Sequence, residues 1–540
     1  MTEPPNRTLT QAAVAAPRLV PEKSNKPVLL DRALATTRAR DLLCLGAVVA
    51  ALAFLWGRGR HVWYWVDEGI AVGIASHPLT QIPELLRLDG SPPLYYALLN
   101  VWMSMFGTSE PATHVLSLIF ALASVPVAFW AGRSLWSRRA GWMAVALVAV
   151  SPFVARYVNE TRMYTLLVLL GLASAALFAH VFVFERRRYR PALVGCLTLL
   201  LYTHNWAIFF VLGLGAAVLL CAAMQPERAA GRARIVDGAV VLGVAGLLYA
   251  PWLPILAYQV THTGAPFALR PTLQGVRNDL MMLVGGREVV LALGLGSGVA
   301  FMDILRRPRD RRAMTVIALA TIVAVTVVTA WGISRDNTVW VYRYLAVLVG
   351  PVLLVLAMGL SKAGRIGVVA LAMVMILTAP IDVKGLHSEK SNAADIARQL
   401  GPRLVPGDLV VADFGRVPLL AHYLPEGLTY AETTGPVADP LSSDQRNGTE
   451  RLRAGAPSAT LGPLLDPLEP GRHLLLVCAA GEPPFDATEF LRLIFERCHQ
   501  ALDLVLGDPR FRLDAALPPK APSDTPVSGY LFTRVGTANA

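Results

Sequence analysis

Charge is the first thing this sequence has little of. Of its 540 residues only 16% are Asp, Glu, Lys or Arg, against about 25% in an ordinary soluble domain. That shortage excludes a plain soluble enzyme and a disordered chain. Cysteine is also scarce: five in the whole chain, too few for a disulfide-dense secreted module. Only six of the 49 basic residues are Lys, and this Arg- and Ala-rich text fits a GC-rich bacterial genome. There is no Gly-rich phosphate loop beside a strand, no Cys/His spacing of a zinc site and no internal repeat.

What is present is apolar, at 54% of residues, and it comes in long runs. A membrane-crossing helix needs about 20 mostly apolar residues. The runs at 41–57, 112–132, 140–155, 162–184, 191–204, 206–224, 235–257, 288–305, 313–333, 339–360 and 365–381 predict about eleven helices, the first, third and fifth of them short. The net charge of +11 would point to nucleic acid in a soluble protein. Here the basic residues sit in alternate loops: Arg133, Arg138 and Arg139; Arg186, Arg187, Arg188 and Arg190; Arg228, Arg232 and Arg234; Arg306 to Arg312; Lys362 and Arg365. That is the positive-inside pattern, so the partner is the lipid bilayer and not nucleic acid. Arg32, Arg38 and Arg40 put the N-terminus in the cytoplasm.

Residues 1–40 are polar, carry no apolar signal-peptide core and read as a cytoplasmic tail. The expected organisation is then a membrane domain over 41–381 and an extracytoplasmic domain over 382–540. The first external loop, 58–111, holds Trp63, Tyr64, Trp65, Tyr95, Tyr96 and Trp102, which suit helices lying at a membrane interface. The C-terminal part alternates strand-like runs at 408–414, 473–478 and 529–535 with helix-like runs at 391–400 and 487–497. Ser391 and Asn392 are candidate caps of the first helix. The fold class expected is a polytopic α-helical membrane protein with a small C-terminal α/β domain. Cys44, Cys196 and Cys221 fall in apolar runs as packing residues; Cys478 and Cys498 end a strand and a helix outside, where a disulfide is permitted.

Function is sought where polarity is costly. Asp67 and Glu68 stand in WYWVDEGIAVGIA, among apolar and aromatic residues. They are either loop carboxylates at a helix start or a general base at the lipid surface. Neighbours on a helix diverge by about 100°, so one faces the reaction centre, and Asp67 is the choice. Asp89, in DGSPPLYYALL, is either a turn residue or a second carboxylate facing Asp67, as acid or metal ligand. Arg156, Glu160 and Tyr164 follow at four-residue spacing and share a face if the stretch is helical, with Arg162 pointing elsewhere. They form either a salt-bridged helix end or a site where an Arg grips an anion such as phosphate. His204, in YTHNW, is a structural residue or a ligand, with a carboxylate, of a divalent metal ion. Arg343, beside Tyr342 and Tyr344, is a snorkelling residue or a clamp on a lipid phosphate. All these positions fall on the outer side of the topology.

The ordered set of a first span, Asp67-Glu68, SPPLYY, RSLWSRRAGWMAVALVAVSPF and NETRMYTLL resembles the bacterial GT-C glycosyltransferases. It is most similar to the family 39-like group, akin to protein mannosyltransferases and lipid A aminoarabinose transferases. The likeness is strong over 40–210 and extends through YTHNW and YRYLAVLVGP to about 360. It implies an inverting transfer from a polyprenyl-phosphate sugar to a lipid, glycan or protein hydroxyl, at the outer face of a bacterial inner membrane. It implies Asp67 as catalytic residue with Glu68 as its partner, and a Glu-x-Arg-x-Tyr element at Glu160, Arg162 and Tyr164. Arg162 and Arg343, supported by Arg156 and Tyr344, would hold the donor phosphate. Some relatives carry Glu-Lys where this chain has Gly90-Ser91, so any metal would rest on Asp89 and His204. A transporter or a glycan polymerase/flippase is the alternative; the one-sided polar cluster and the lack of repeats weigh against it.

Overall fold

The structure, a computed structural model, describes residues 1–2, 26–387, 389–519 and 525–536. Most of the expected N-terminal tail, 3–25, lies outside the described residues. The chain divides into two compact units, residues 1–50 and 51–540. The first unit carries most of the helix Lys26–Gly57, which starts well before the expected position 41. Its Cys44 is exposed, not packed as expected. The second unit holds the other helices and the sheet.

All eleven apolar runs are largely helical, the 140–155 run being broken between Ala149 and Pro152, and the protein is a multi-pass membrane protein, but eleven crossings are not confirmed. Six helices among the described residues are long and apolar enough to cross a membrane: Thr36–Gly57, Glu110–Leu135, Tyr164–Val183, Arg228–His262, Arg311–Ile333 and Tyr342–Lys362. A seventh span is counted if Leu273–Val284 and Arg287–Gly298, bent by 69° at their junction, act as one. The remaining runs give shorter helices such as Arg138–Ala149, Arg190–Thr203 and Ala207–Ala223.

One helix pair positions the site. On Tyr164–Phe178, a Cβ at Gly171 would stand 2.5 Å from the Val347 carbonyl. On Ala346–Lys362, a Cβ at Gly350 would stand 2.4 Å from Leu172 Cα. Glycine at both places lets the two backbones touch, the small-residue packing that membrane helices use in place of a hydrophobic drive. The order of these contacts makes the helices parallel, so their N-terminal ends, with Arg162 and Tyr164 on one and Arg343 and Tyr344 on the other, lie side by side.

The C-terminal part builds a six-stranded sheet. Its strands are β1 (Leu409–Ala412), β2 (Thr429–Glu432), β3 (Gly435–Pro436), β4 (His473–Ala479), β5 (Phe511–Leu517) and β6 (Val527–Arg534). The order is β3-β2-β1-β4-β6-β5, with β1 parallel to both β2 and β4 and the outer pairs antiparallel. Every residue of β1 is buried, as a central parallel strand requires. Helices Pro457–Leu465 and Glu489–Leu506 cover one face and close a core around Leu474, Leu476, Ala501 and Phe532. Cys478 and Cys498 are joined, with Cα atoms 5.6 Å apart. Cys498 sits in the middle of its helix and not at its end. Of the two expected caps, Ser391 accepts from Ala393 N at 3.3 Å, while the Asn392 side chain turns to Val527.

The sheet domain packs on the 58–111 segment. Helix Val66–Ala75 lies against helix Val417–Tyr423: a Cβ at Gly69 would come 2.6 Å from Leu419 Cα, and one at Gly73 would come 2.2 Å from the Leu441 carbonyl. Tyr423 Oη accepts from Tyr64 N at 2.9 Å and donates to Glu110 at 2.6 Å. Tyr64, Tyr95 and Tyr96 are therefore buried core residues, not the membrane-interface aromatics expected.

Glu432, at the end of β2, is buried and accepts from Gly415 N at 2.7 Å and Thr434 Oγ1 at 3.3 Å. Burial pushes its carboxyl up to about 7, against the pull of the Gly415 amide and Arg451. The folded state then keeps a proton that the unfolded chain releases near 4.5, so stability drops as pH rises through that window. Glu432→Gln should remove this slope, worth at most about 3 kcal/mol between about pH 5 and about pH 8. Thermal unfolding in detergent at both pH values checks it; parallel responses of wild type and variant would contradict it.

Candidate active site

The site begins at the helix Val66–Ala75, whose first turn carries both acidic residues. Glu68 folds back to accept from Trp65 N at 3.4 Å. Its other oxygen accepts from Thr161 N at 2.6 Å and meets His114 Nε2 at 2.8 Å. His114 Nδ1 faces the Arg60 carbonyl at 2.9 Å, which only accepts, so that nitrogen carries a proton and the Glu68 contact needs another. Both side chains are buried. Glu68 thus fastens this helix to Glu110–Leu135 and to the 158–163 turn, and no part of it is left for substrate.

Asp67, one residue earlier, faces the opposite way. Its Oδ2 lies 3.2 Å from Arg343 Nη2, with both side chains about one-fifth exposed (21% and 18%). Its carbonyl accepts from Arg162 Nη1 at 3.1 Å. The same Nη1 donates to Tyr96 Oη at 3.2 Å, and Tyr96 donates to Asp89 Oδ2 at 3.3 Å. The run Asp89–Tyr96–Arg162–Asp67 is continuous. Gly90 shapes its start: φ is +102°, and a Cβ would meet Thr263 Oγ1 at 2.8 Å. Gln259 Nε2 holds the Leu86 and Ser91 carbonyls at 2.9 and 3.2 Å, and Asn205 donates to the Gly90 carbonyl at 3.1 Å. Burial raises the Asp89 carboxyl above its ordinary value, with the Arg162 charge opposing.

The expected helical face of Arg156, Glu160 and Tyr164 does not form. One helix ends at Tyr157 and the next starts at Tyr164, with a turn between them. The turn separates the three and swings Arg162, expected to point away, into the centre. Arg156 is exposed in the last turn of Pro152–Tyr157. Glu160 is fully buried and ion-paired with Lys390, and its second oxygen has no hydrogen-bond partner among the described residues.

Arg343 lies in a cage of rings, its Cζ 5.6 Å from the Trp65 centroid, 5.3 Å from Phe267 and 5.6 Å from Tyr344. The Tyr344 ring is 4.5 Å from His204, whose Nδ1 accepts from Trp206 N at 3.1 Å. Among the described residues no three His, Cys, Asp or Glu side chains are grouped to hold a metal ion. Asp89, engaged by Tyr96, and His204, engaged by Trp206, do not make a ligand set that fits one.

Buried polar atoms with no hydrogen-bond partner among the described residues gather here: Trp65 Nε1, Arg162 Nε, Tyr164 Oη, Arg343 Nε and Glu160 Oε1. Unsatisfied buried groups are rare in folded proteins. Four of the five are donors, which suits an anionic ligand.

No family model and no curated protein matches the sequence. Solved structures do match. ArnT from Cupriavidus metallidurans bound to undecaprenyl phosphate aligns with a TM-score of 0.58 at 14% identity, over 92% of this chain and 98% of that one. The chain shares the overall fold of that ArnT structure. The apo state of the same ArnT aligns over the same shares with a TM-score of 0.54 at 14% identity. AglB from Archaeoglobus fulgidus, in complex with an inhibitory peptide and a dolichol-phosphate, aligns at 0.48 and 10% identity over 80% of this chain and 69% of that one.

Within this fold, Asp67, Arg162, Arg343 and Tyr344 fall into one cluster, with Glu160, Tyr164, Asp89 and His204 at its edges. Two participants escaped the sequence reading. Tyr96 stood in the quoted SPPLYY run, but only its hydrogen bonds reveal its link. Lys390 lies 230 residues from Glu160 in the chain, and its only signal was that it is one of two Lys, with Lys384, that closely follow the last apolar run in a Lys-poor sequence.

Proposed function

We propose that this protein transfers a sugar, with inversion, from a polyprenyl-phosphate-linked donor to an acceptor hydroxyl on a lipid, glycan or protein. The reading places the reaction at the outer face of a bacterial inner membrane, with the N-terminus in the cytoplasm and the sheet domain outside. One observation carries it: Asp67 meets two guanidinium groups, Arg343 and Arg162, in a fold shared with a protein bound to undecaprenyl phosphate.

Displacement at an anomeric carbon needs a base for the incoming hydroxyl and a counter-charge for the leaving phosphate. Asp67 takes the hydroxyl proton as the oxygen attacks the anomeric carbon. The carbon–oxygen bond to the phosphate breaks, and the polyprenyl phosphate leaves with the electron pair. Arg343 and Arg162 offer forked donors matched to its oxygens. Arg343 is paired with Asp67. An arriving phosphate competes for that guanidinium and frees the carboxylate, so the base acts when a donor is in place.

The test is stereochemical. Proton NMR of the product should show an anomeric configuration opposite to that of the donor. Retention would contradict a single displacement with Asp67 as base.

A further inference from the structure

Lys390 stands where the last apolar helix, Arg365–His387, gives way to the sheet domain. Its backbone belongs to that domain. The Lys390 carbonyl accepts from Thr525 N and from Thr525 Oγ1, both at 2.8 Å. Two residues on, Asn392 exchanges a pair of 2.8 Å hydrogen bonds with Val527 of β6. The side chain reaches the other way. Its Nζ pairs with Glu160 and lies 5.5 Å from the Trp65 ring centroid and 5.8 Å from that of Tyr157. The Trp65 ring also faces Arg343, so Lys390 and Arg343 border the same indole.

Both members of the pair are buried, at 8% and 0% side-chain exposure. A buried ion pair is poor glue, because desolvation cancels most of its attraction, and a short apolar pair would hold these segments as well. The charge needs another reason. Glu160 lies in the turn that delivers Arg162, and an uncompensated carboxylate there would compete with a phosphate for the two guanidinium groups.

We infer that Lys390 is a positioning residue for the donor site: delivered by the sheet domain, it neutralises Glu160 so that Arg162 and Arg343 stay available to the donor phosphate. Docking of that domain is thereby a condition of donor binding. The inference rests on the proposed function and names how its site is completed.

The experiment measures binding of undecaprenyl phosphate to the full chain in nanodiscs, with size exclusion and thermal melting as folding controls. Lys390→Met should weaken binding about tenfold, the order expected for one elementary charge acting across a site at an effective dielectric of about 20. Lys390→Arg should stay within about threefold of wild type, and Glu160→Gln should tighten binding, since the charge and not its shape decides. The double variant Glu160→Gln/Lys390→Met removes both charges and should return to within about threefold of wild type. A double variant as weak as about tenfold would overturn the inference, since Lys390 would then act on the phosphate directly. Lys390→Met binding like wild type would overturn it too. If Lys390→Met does not fold, the double variant, which leaves no unpaired buried charge, decides by the same criterion. Wild type that binds no undecaprenyl phosphate would overturn the proposed function, and this inference with it.

Discussion

Asp67→Asn is expected to lower sugar transfer about 1000-fold, within the range that a positioned general base contributes, while the protein folds and still binds undecaprenyl phosphate. Asn matches Asp in shape and can still accept from Arg343, but it cannot take a proton from an attacking hydroxyl. The fold should tolerate the change. Glu68, not Asp67, holds the Trp65 amide, the Thr161 amide and His114. What Asp67 gives to structure is its pair with Arg343, one charge at a helix N-terminus, worth about 0.3–1 kcal/mol, and its carbonyl contact to Arg162, which the substitution leaves in place. Donor affinity should hold or increase, because Arg343 loses its competing carboxylate. Loss of kcat with affinity intact is the signature of a group that acts only in the transition state. Equal loss of binding and turnover would assign Asp67 to structure instead.

Arg343→Met has the second large effect: donor binding should weaken about 10- to 100-fold, matching the loss of charge-assisted hydrogen bonds worth about 1.5–3 kcal/mol. Met fills much of the space inside the Trp65, Phe267 and Tyr344 cage, so the cage itself need not collapse. Arg343→Lys separates charge from shape. A Lys ammonium still pairs with Asp67 but lacks the planar fork and stacks less well on the rings, so it should recover only part of the affinity. Isothermal titration with undecaprenyl phosphate reads both variants. Full recovery by Lys would mean that Arg343 acts as a point charge alone.

Much of this was legible in the sequence for identifiable reasons. Apolar runs must be helical inside a bilayer because no water satisfies the backbone there, and each run did prove largely helical. Asp67 and Arg343 stood out because charge near an apolar boundary is costly. The three strand-like runs correspond to β1, β4 and β6, which are rich in apolar residues. β2 and β3 are too short to leave a pattern, and β5, FRLDAAL, is interrupted by Arg512 and Asp514.

The misses over 156–164 share one cause: periodicity extended through a break. Spacing of four placed Arg156, Glu160 and Tyr164 on one face only while the helix continued, and it stops at Tyr157. The turn reverses the expectation for Arg162, which becomes central, and leaves Arg156 exposed. Tyr64 looked like an interface aromatic because Tyr423 of the sheet domain, which packs on it, is remote in sequence, and Tyr96 because its partner Arg162 is. Lys390 could not be paired with Glu160 from spacing at all, since that contact depends on how the domain docks.

Donor turnover by purified protein in nanodiscs tests the central claim most directly. Wild type and Asp67→Asn would each receive a panel of polyprenyl-phosphate sugars with a membrane extract as acceptor, and mass spectrometry would follow release of polyprenyl phosphate. The predicted result is that wild type consumes a donor from the panel and Asp67→Asn, equally well folded, does not. Release at the same rate by both proteins, or no release by a folded wild type across the panel, would contradict it.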